Sequence, residues 1–185
     1  EMFPYLSKEY GNPSSLYSIG RSAKRAIEEA RRRVASLINC KPEEIYFTSC
    51  GSESDNTALK GIAYSNKNKG KHIITSKIEH PAILHSCQNL ENKGFEVTYL
   101  DVDKNGFVNL QSLENSIRSD TILISIMFAN NEIGTIEPIE EIAKIAHKNG
   151  IIFHTDAVQA FCQVPINVDE CNIDMLSSSG HKING

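Results

Sequence analysis

Two short stretches, His154-Thr-Asp-Ala-Val-Gln159 and Ser177-Ser-Ser-Gly-His-Lys182, hold the residues of this chain best suited to chemistry. Asp156 closes one apolar run and Lys182 follows another. A lysine amine can hold an aldehyde cofactor as a Schiff base, and a carboxylate facing a ring nitrogen can keep that nitrogen protonated, so that the ring draws electrons from a bound substrate. The pairing points to pyridoxal phosphate (PLP).

Neither residue carries this reading alone. Most lysines are exposed and structural, and an aspartate at a strand end is commonly a helix N-cap, here for a turn at 157–160. Gln159 leans to the same side as Asp156 if a helical turn starts there, and its amide can donate to a phenolate oxygen of the cofactor. His80, ahead of Pro81, can stack on an aromatic ring or act as acid and base near neutral pH. Gly51-Ser52-Glu53 opens a helix, so its free backbone N–H groups and positive dipole end form an anion site, which Ser179 and His181 can share with Ser52 around a phosphate. Taken by itself, Ser52 reads equally well as a simple N-cap.

The elements that must position these residues follow from hydrophobic period. Apolar or small residues at Ile19, Ala23, Ala26, Ile27, Ala30, Val34, Leu37 and Ile38 predict a helix over 18–38 with one buried stripe. Strands are expected at 45–49, 72–76, 95–100, 121–128, 151–154 and 174–178, and helices at 52–63, 81–93, 110–118 and 139–148, the last closed by Asn149-Gly150. Near-continuous apolar runs such as 121–128 suit central parallel strands covered on both faces. The expected fold is therefore α/β, a mostly parallel sheet with helices on both faces, and ligands should gather outside the carboxyl ends of its strands.

Composition narrows the alternatives. With 185 residues, 40% hydrophobic and 23% charged, the chain suits one globular domain with a sizeable core. The net charge of -4 and the setting of Arg31-Arg32-Arg33 beside Glu28 and Glu29 argue for a solvated helix face and against nucleic-acid binding. No apolar stretch approaches the roughly 20 residues needed to span a bilayer, and no signal-like start is present, so the cytoplasm is expected. The five cysteines contain no Cys-x-x-Cys pair and suggest neither a disulfide framework nor a zinc cluster. Asp101-x-Asp103-x-Asn105-Gly106 matches half of a calcium loop, but Ser112 stands where the closing Glu belongs.

Together, Gly11-Asn-Pro-Ser-Ser15, Phe47-Thr-Ser-Cys-Gly-Ser-Glu-Ser-Asp-Asn56, Glu79-His-Pro81, Asn130-Asn-Glu-Ile-Gly134, His154-Thr-Asp-Ala-Val-Gln159 and Ser179-Gly-His-Lys182 resemble the PLP-dependent cysteine desulfurases of the NifS/IscS kind, within the class V aminotransferase group. The resemblance implies a fold-type I large domain, incomplete over 1–185, with the rest of that domain and a small domain following. It implies Lys182 as the Schiff-base lysine, Asp156 on the pyridine nitrogen, Gln159 on the phenolate oxygen, and His80 on the ring and in proton transfer. Ser52, Ser179 and His181 would hold the phosphate, and Asn131 would contact the substrate carboxylate or a cofactor oxygen. The implied reaction converts L-cysteine to L-alanine and passes its sulfur, as a persulfide, to sulfur-acceptor or iron–sulfur scaffold proteins, in a homodimer. The persulfide cysteine is expected on a loop downstream of this chain, with Cys50 the one thiol here near the site. A selenocysteine lyase or another class V enzyme is the neighbouring alternative, and a noncatalytic fragment that binds a partner through an unfinished sheet edge is the more distant one.

Overall fold

The computed structural model describes residues 2 to 184 and divides after Phe47 into two units. In the smaller unit, α1 (Phe3–Ser7) and α2 (Ser18–Leu37) precede a 3-10 turn at Pro42–Glu44. The stripe expected along α2 is buried only in part: Ala23 and Ile38 are covered, whereas Ile19 and Leu37 are more than half exposed. Within this unit the turn is the element that packs on α2, and it is too short to cover a helix of 20 residues. Arg31 explains a second departure. Its guanidinium sits 5.0 Å from the centre of the Phe47 ring and donates to the Ile45 carbonyl, so this carbonyl is taken by a side chain, and 45–49 is extended chain that joins no sheet.

In the larger unit, short β-branched runs alternate with segments of helical period. The order is α3 (Gly51–Asn66), β1 (His72–Ser76), α4 (Pro81–Glu91), β2 (Glu96–Leu100), α5 (Leu110–Ser116), β3 (Thr121–Ser125), α6 (Ile139–Lys148), β4 (Ile152–Asp156) and β5 (Met175–Ser177). A 3-10 turn at Gly180–Lys182 follows. The strands form one parallel sheet in the order β2-β1-β3-β4-β5. β3 is shorter than its apolar run, yet Ile126 and Phe128 still donate to the carbonyls of His154 and Asp156 at 3.2 and 2.8 Å.

Alternation along the strands sorts the core into two layers. Ile73 and Leu123 face Ala58, Leu59 and Ala63 of α3 and Ile83, Cys87 and Leu90 of α4 in one buried cluster. Ile74, Ile124 and Phe153 stand opposite one another in register, are fully buried, and point to the other face, where α6 packs on β4 and α5 packs on α6. With helices on both faces, the backbone at the strand ends is the open part of the sheet.

Candidate active site

The strand order reverses direction between β1 and β3, which places a crevice at their carboxyl ends. A cavity of about 300 Å³ lies along that edge, the lower end of the size range for small-molecule sites. Four of the five strand ends contribute to its wall: His80 after β1, Met127, Ala129 and Asn131 after β3, Asp156 closing β4, and Ser179, His181 and Lys182 after β5. Gly51 and Ser52 from the start of α3, with Gln159 and Val158, complete the wall. Every residue singled out from the sequence for the site, Ser52, His80, Asn131, Asp156, Gln159, Ser179, His181 and Lys182, thus lines one cavity.

Local chemistry fixes each of them. The first turn of α3 has no side-chain cap, because Cys50 occupies the cap position without such a bond and Ser52 lies one residue inside the helix. Ser52 is therefore not the N-cap that its sequence allowed, and the leading N–H groups of α3 remain available to an anion. Gly51 is required by closeness: a Cβ there would stand 3.1 Å from Val158 Cγ2 and 3.4 Å from Ser179 Cβ. Across from it, the Ser179 hydroxyl and His181 Nδ1 are 2.8 Å apart.

His80 caps α4, accepting the Ala82 N–H on Nδ1 at 3.1 Å. That bond leaves the proton of its neutral ring on Nε2. Asp156 Oδ1 accepts the Val158 N–H at 2.9 Å. The capping role weighed for this carboxylate is real for one oxygen, although the chain after it makes successive turns in place of a regular helix. Asn130 is buried and accepts from the Glu132 and Ile133 N–H groups at 2.9 and 3.1 Å, which shapes the loop that carries Asn131 to the cavity wall.

The electrostatics are those of a dry, acidic floor. Burial raises the Asp156 carboxyl above the ordinary range, against the pull of the Val158 N–H and His80. Burial first, and then the repulsion of Asp156, pushes Asp55 up to about 7, against the Ser177 hydroxyl. Burial pushes Glu79 up to about 8, although Ser76 and the Met127 N–H both donate to its Oε1, at 2.7 and 2.9 Å. His154, fully buried, is pulled down to about 3 by desolvation and is neutral. Among the described residues no lysine or arginine pairs with these carboxyls, and no group of three His, Cys, Asp or Glu is arranged for a metal.

Asp55 and His154 were not singled out from the sequence, although a signal existed for the first. Asp55 continues the spacing of Ala58, Leu59, Ile62 and Ala63 along α3, a carboxylate set within an apolar stripe. Glu79 was visible only as part of Glu79-His-Pro81. Cys50 lines the cavity and is exposed, with its sulfur 3.8 Å from the Ser49 hydroxyl.

A parallel sheet with an uncapped helix start and reactive residues along the carboxyl edge of its strands defines an α/β domain with a candidate anion site. The chain belongs to the class-V aminotransferase family, whose model matches residues 1–185. It is 61% identical over 184 residues to the cysteine desulfurase IscS of Methanosarcina thermophila, and 58% identical over 185 residues to that of Clostridium botulinum strain Kyoto. The whole chain is covered in both cases, with 46% and 47% of the relatives, so the chain spans about half the length of the curated relatives it matches. Among solved structures, SspA in complex with cysteine superposes with a TM-score of 0.96 at 46% identity, and a NifS-like protein with 0.96 at 41%. Both cover the whole chain, which spans 53% and 51% of theirs.

Proposed function

We propose that this chain is the greater part of the PLP-binding large domain of a cysteine desulfurase, whose full-length form converts L-cysteine to L-alanine and hands on the sulfur as a persulfide. The observation that carries the reading is the convergence of Lys182 and Asp156 on one cavity, with the uncapped start of α3 on the same wall. The donor set fits the cofactor. Gly51 leaves room that a side chain would fill, and the buried Asp156 stands at the cavity wall with one backbone donor, the Val158 N–H, on Oδ1.

When bound, PLP supplies an aldehyde and an electron-withdrawing ring. The residues of the chain do the rest. Lys182 would offer the amine that holds the aldehyde and would be the base for the Cα proton of cysteine. Asp156 would keep the ring nitrogen protonated, and Gln159 would donate to the phenolate oxygen. His80, whose Nδ1 is occupied by the Ala82 N–H, would stack on the ring and assist proton transfer. The N–H groups of α3, with Ser52, Ser179 and His181, bind the phosphate. Asn131 meets the substrate carboxylate or a cofactor oxygen.

Four further features belong to this proposal: a sulfur-accepting cysteine in the remainder of the parent protein, sulfur-acceptor or iron–sulfur scaffold partners, a homodimer and a cytoplasmic location. The names of the relatives and the cysteine complex of the SspA neighbour support the substrate. The test is turnover by the full-length protein. Alanine and sulfide should appear in step from L-cysteine with reductant and PLP, whereas a protein that binds PLP and releases neither would overturn the proposal. Faster release from selenocysteine than from cysteine would redirect it to a selenocysteine lyase.

A further inference from the structure

We propose that Asp55 is the positioning residue of Asp156: the two carboxyls form a coupled pair that carries one negative charge, with the proton kept on Asp55 and the charge on Asp156. This rests on the reading of the cavity as a cofactor site in which Asp156 faces a ring nitrogen.

The geometry comes first. Asp55 is 1% exposed, lines the same cavity as Asp156, and its Oδ1 has no hydrogen-bond partner. The nitrogen facing it is His154 Nε2 at 3.9 Å, on a ring held between Ser125 Oγ at 2.9 Å and Ser177 Oγ at 3.0 Å. Ser177 stands opposite Asp156 in the sheet register, and its hydroxyl is within reach of Asp55. The titratable groups facing Asp55 are therefore His154 and Asp156 of β4 and Glu79 after β1, with His80 and Lys182 on the same wall.

None of the deep groups is a cation. His154 is neutral, so two ionised aspartates would share a dry floor without compensation, an arrangement that forces one of them to keep its proton. The hydrogen-bond chain shows which. His154 bonds Ser125 and Ser177 with its two ring nitrogens, so neither hydroxyl-bonded nitrogen is free to neutralise Asp55. No donor reaches Asp55 Oδ1, so nothing at that buried oxygen favours the charged form. Asp156, by contrast, already receives the Val158 N–H, which favours its charged form. The floor thus presents one fixed anion to the ring nitrogen.

A four-way cycle tests this, with the full-length protein stripped of PLP and melted between pH 4.5 and 8.5 as wild type, Asp55→Asn, Asp156→Asn and the double variant. A carboxyl whose folded pKa is raised stabilises the protein below its unfolded value near 3.8 and loses that contribution as pH rises through about 7. Asp55→Asn should therefore melt above wild type by an amount that grows from pH 4.5 to 7 and then levels, reaching several degrees at pH 8. In the Asp156→Asn background the same substitution should gain less than half as much. Equal gains in both backgrounds, or a gain independent of pH, would overturn the pair. If Asp55→Asn does not fold, Asp55→Ser must show the same growth with pH, and its failure to do so counts against the proposal. Lack of any melting shift on adding PLP to the wild type, with the cycle behaving as expected, contradicts the cofactor reading and leaves the carboxyl pair standing.

Discussion

Two buried histidines each sit between two hydroxyls on neighbouring strands, at different depths of the same sheet. His72, opening β1, bonds Thr121 and Thr98 at 2.7 and 2.8 Å, and His154 on β4 bonds Ser125 and Ser177 at 2.9 and 3.0 Å. Burial lowers both, but the surroundings diverge. Around His72, the charges of Asp120 and Glu96 oppose burial while Arg118 reinforces it, and these three side chains form their own ion-paired group. His154 has no such counterweight, reaches about 3, and looks onto the unpaired oxygen of Asp55. The same trio of side chains knits strands at the amino edge and conditions the charge of a cavity at the carboxyl edge. Position along the strand, and not residue type, assigns the role.

The comparison breaks most visibly through Asp156. Replacing it with Ala in the full-length protein removes the one fixed anion of the carboxyl edge, and L-cysteine turnover should fall on the order of a hundredfold or more. A residual rate within tenfold of wild type would mean that the edge does not depend on that charge.

The histidines themselves give the next largest effect. His154→Leu strands the buried Ser125 and Ser177 hydroxyls and should cost about 1–3 kcal/mol in denaturant titrations at pH 7.5, whereas His72→Leu leaves Thr121 the Arg118 N–H and Thr98 half-buried and should cost less. Their acid dependence should differ. A histidine lowered in the folded state contributes stability above its unfolded value near 6.5 that is lost as pH falls toward the folded one. His154→Leu should therefore flatten the acid loss between pH 6.5 and 4 more than His72→Leu does, and equal slopes would erase the distinction between the two sites.

The smallest effect belongs to the surface. Lys77 and Asp101 pair at 2.6 Å with both side chains more than half exposed, so Lys77→Ala should change stability by at most about 1 kcal/mol and fade further in salt.

What the sequence disclosed follows the same divide between local and distant causes. β1 and α6 occupy the residues their periods indicated, since the β-branched Ile73, Ile74 and Thr75 and a stripe of Ile and Ala settle those elements locally. The segment 45–49 had strand composition and became extended chain, because a strand exists only where another offers its backbone, and the Ile45 carbonyl is claimed by Arg31. In the site, Lys182, His80 and Asp156 were legible because each is a reactive type at or just past the end of an apolar run. Asp55 was not singled out. Its place in the apolar stripe of α3 hints at burial, and the approach of β4 and β5 to α3 shows the second carboxylate on the same cavity.

In the proposed site the Lys182 amine holds PLP opposite Asp156. The most direct measurement is reduction of the PLP-loaded full-length protein with borohydride, followed by digestion and mass spectrometry. The account predicts one pyridoxyl-modified peptide, carrying the label on Lys182 and vanishing in Lys182→Ala. A label on any other lysine, with Lys182 unmodified, would contradict it.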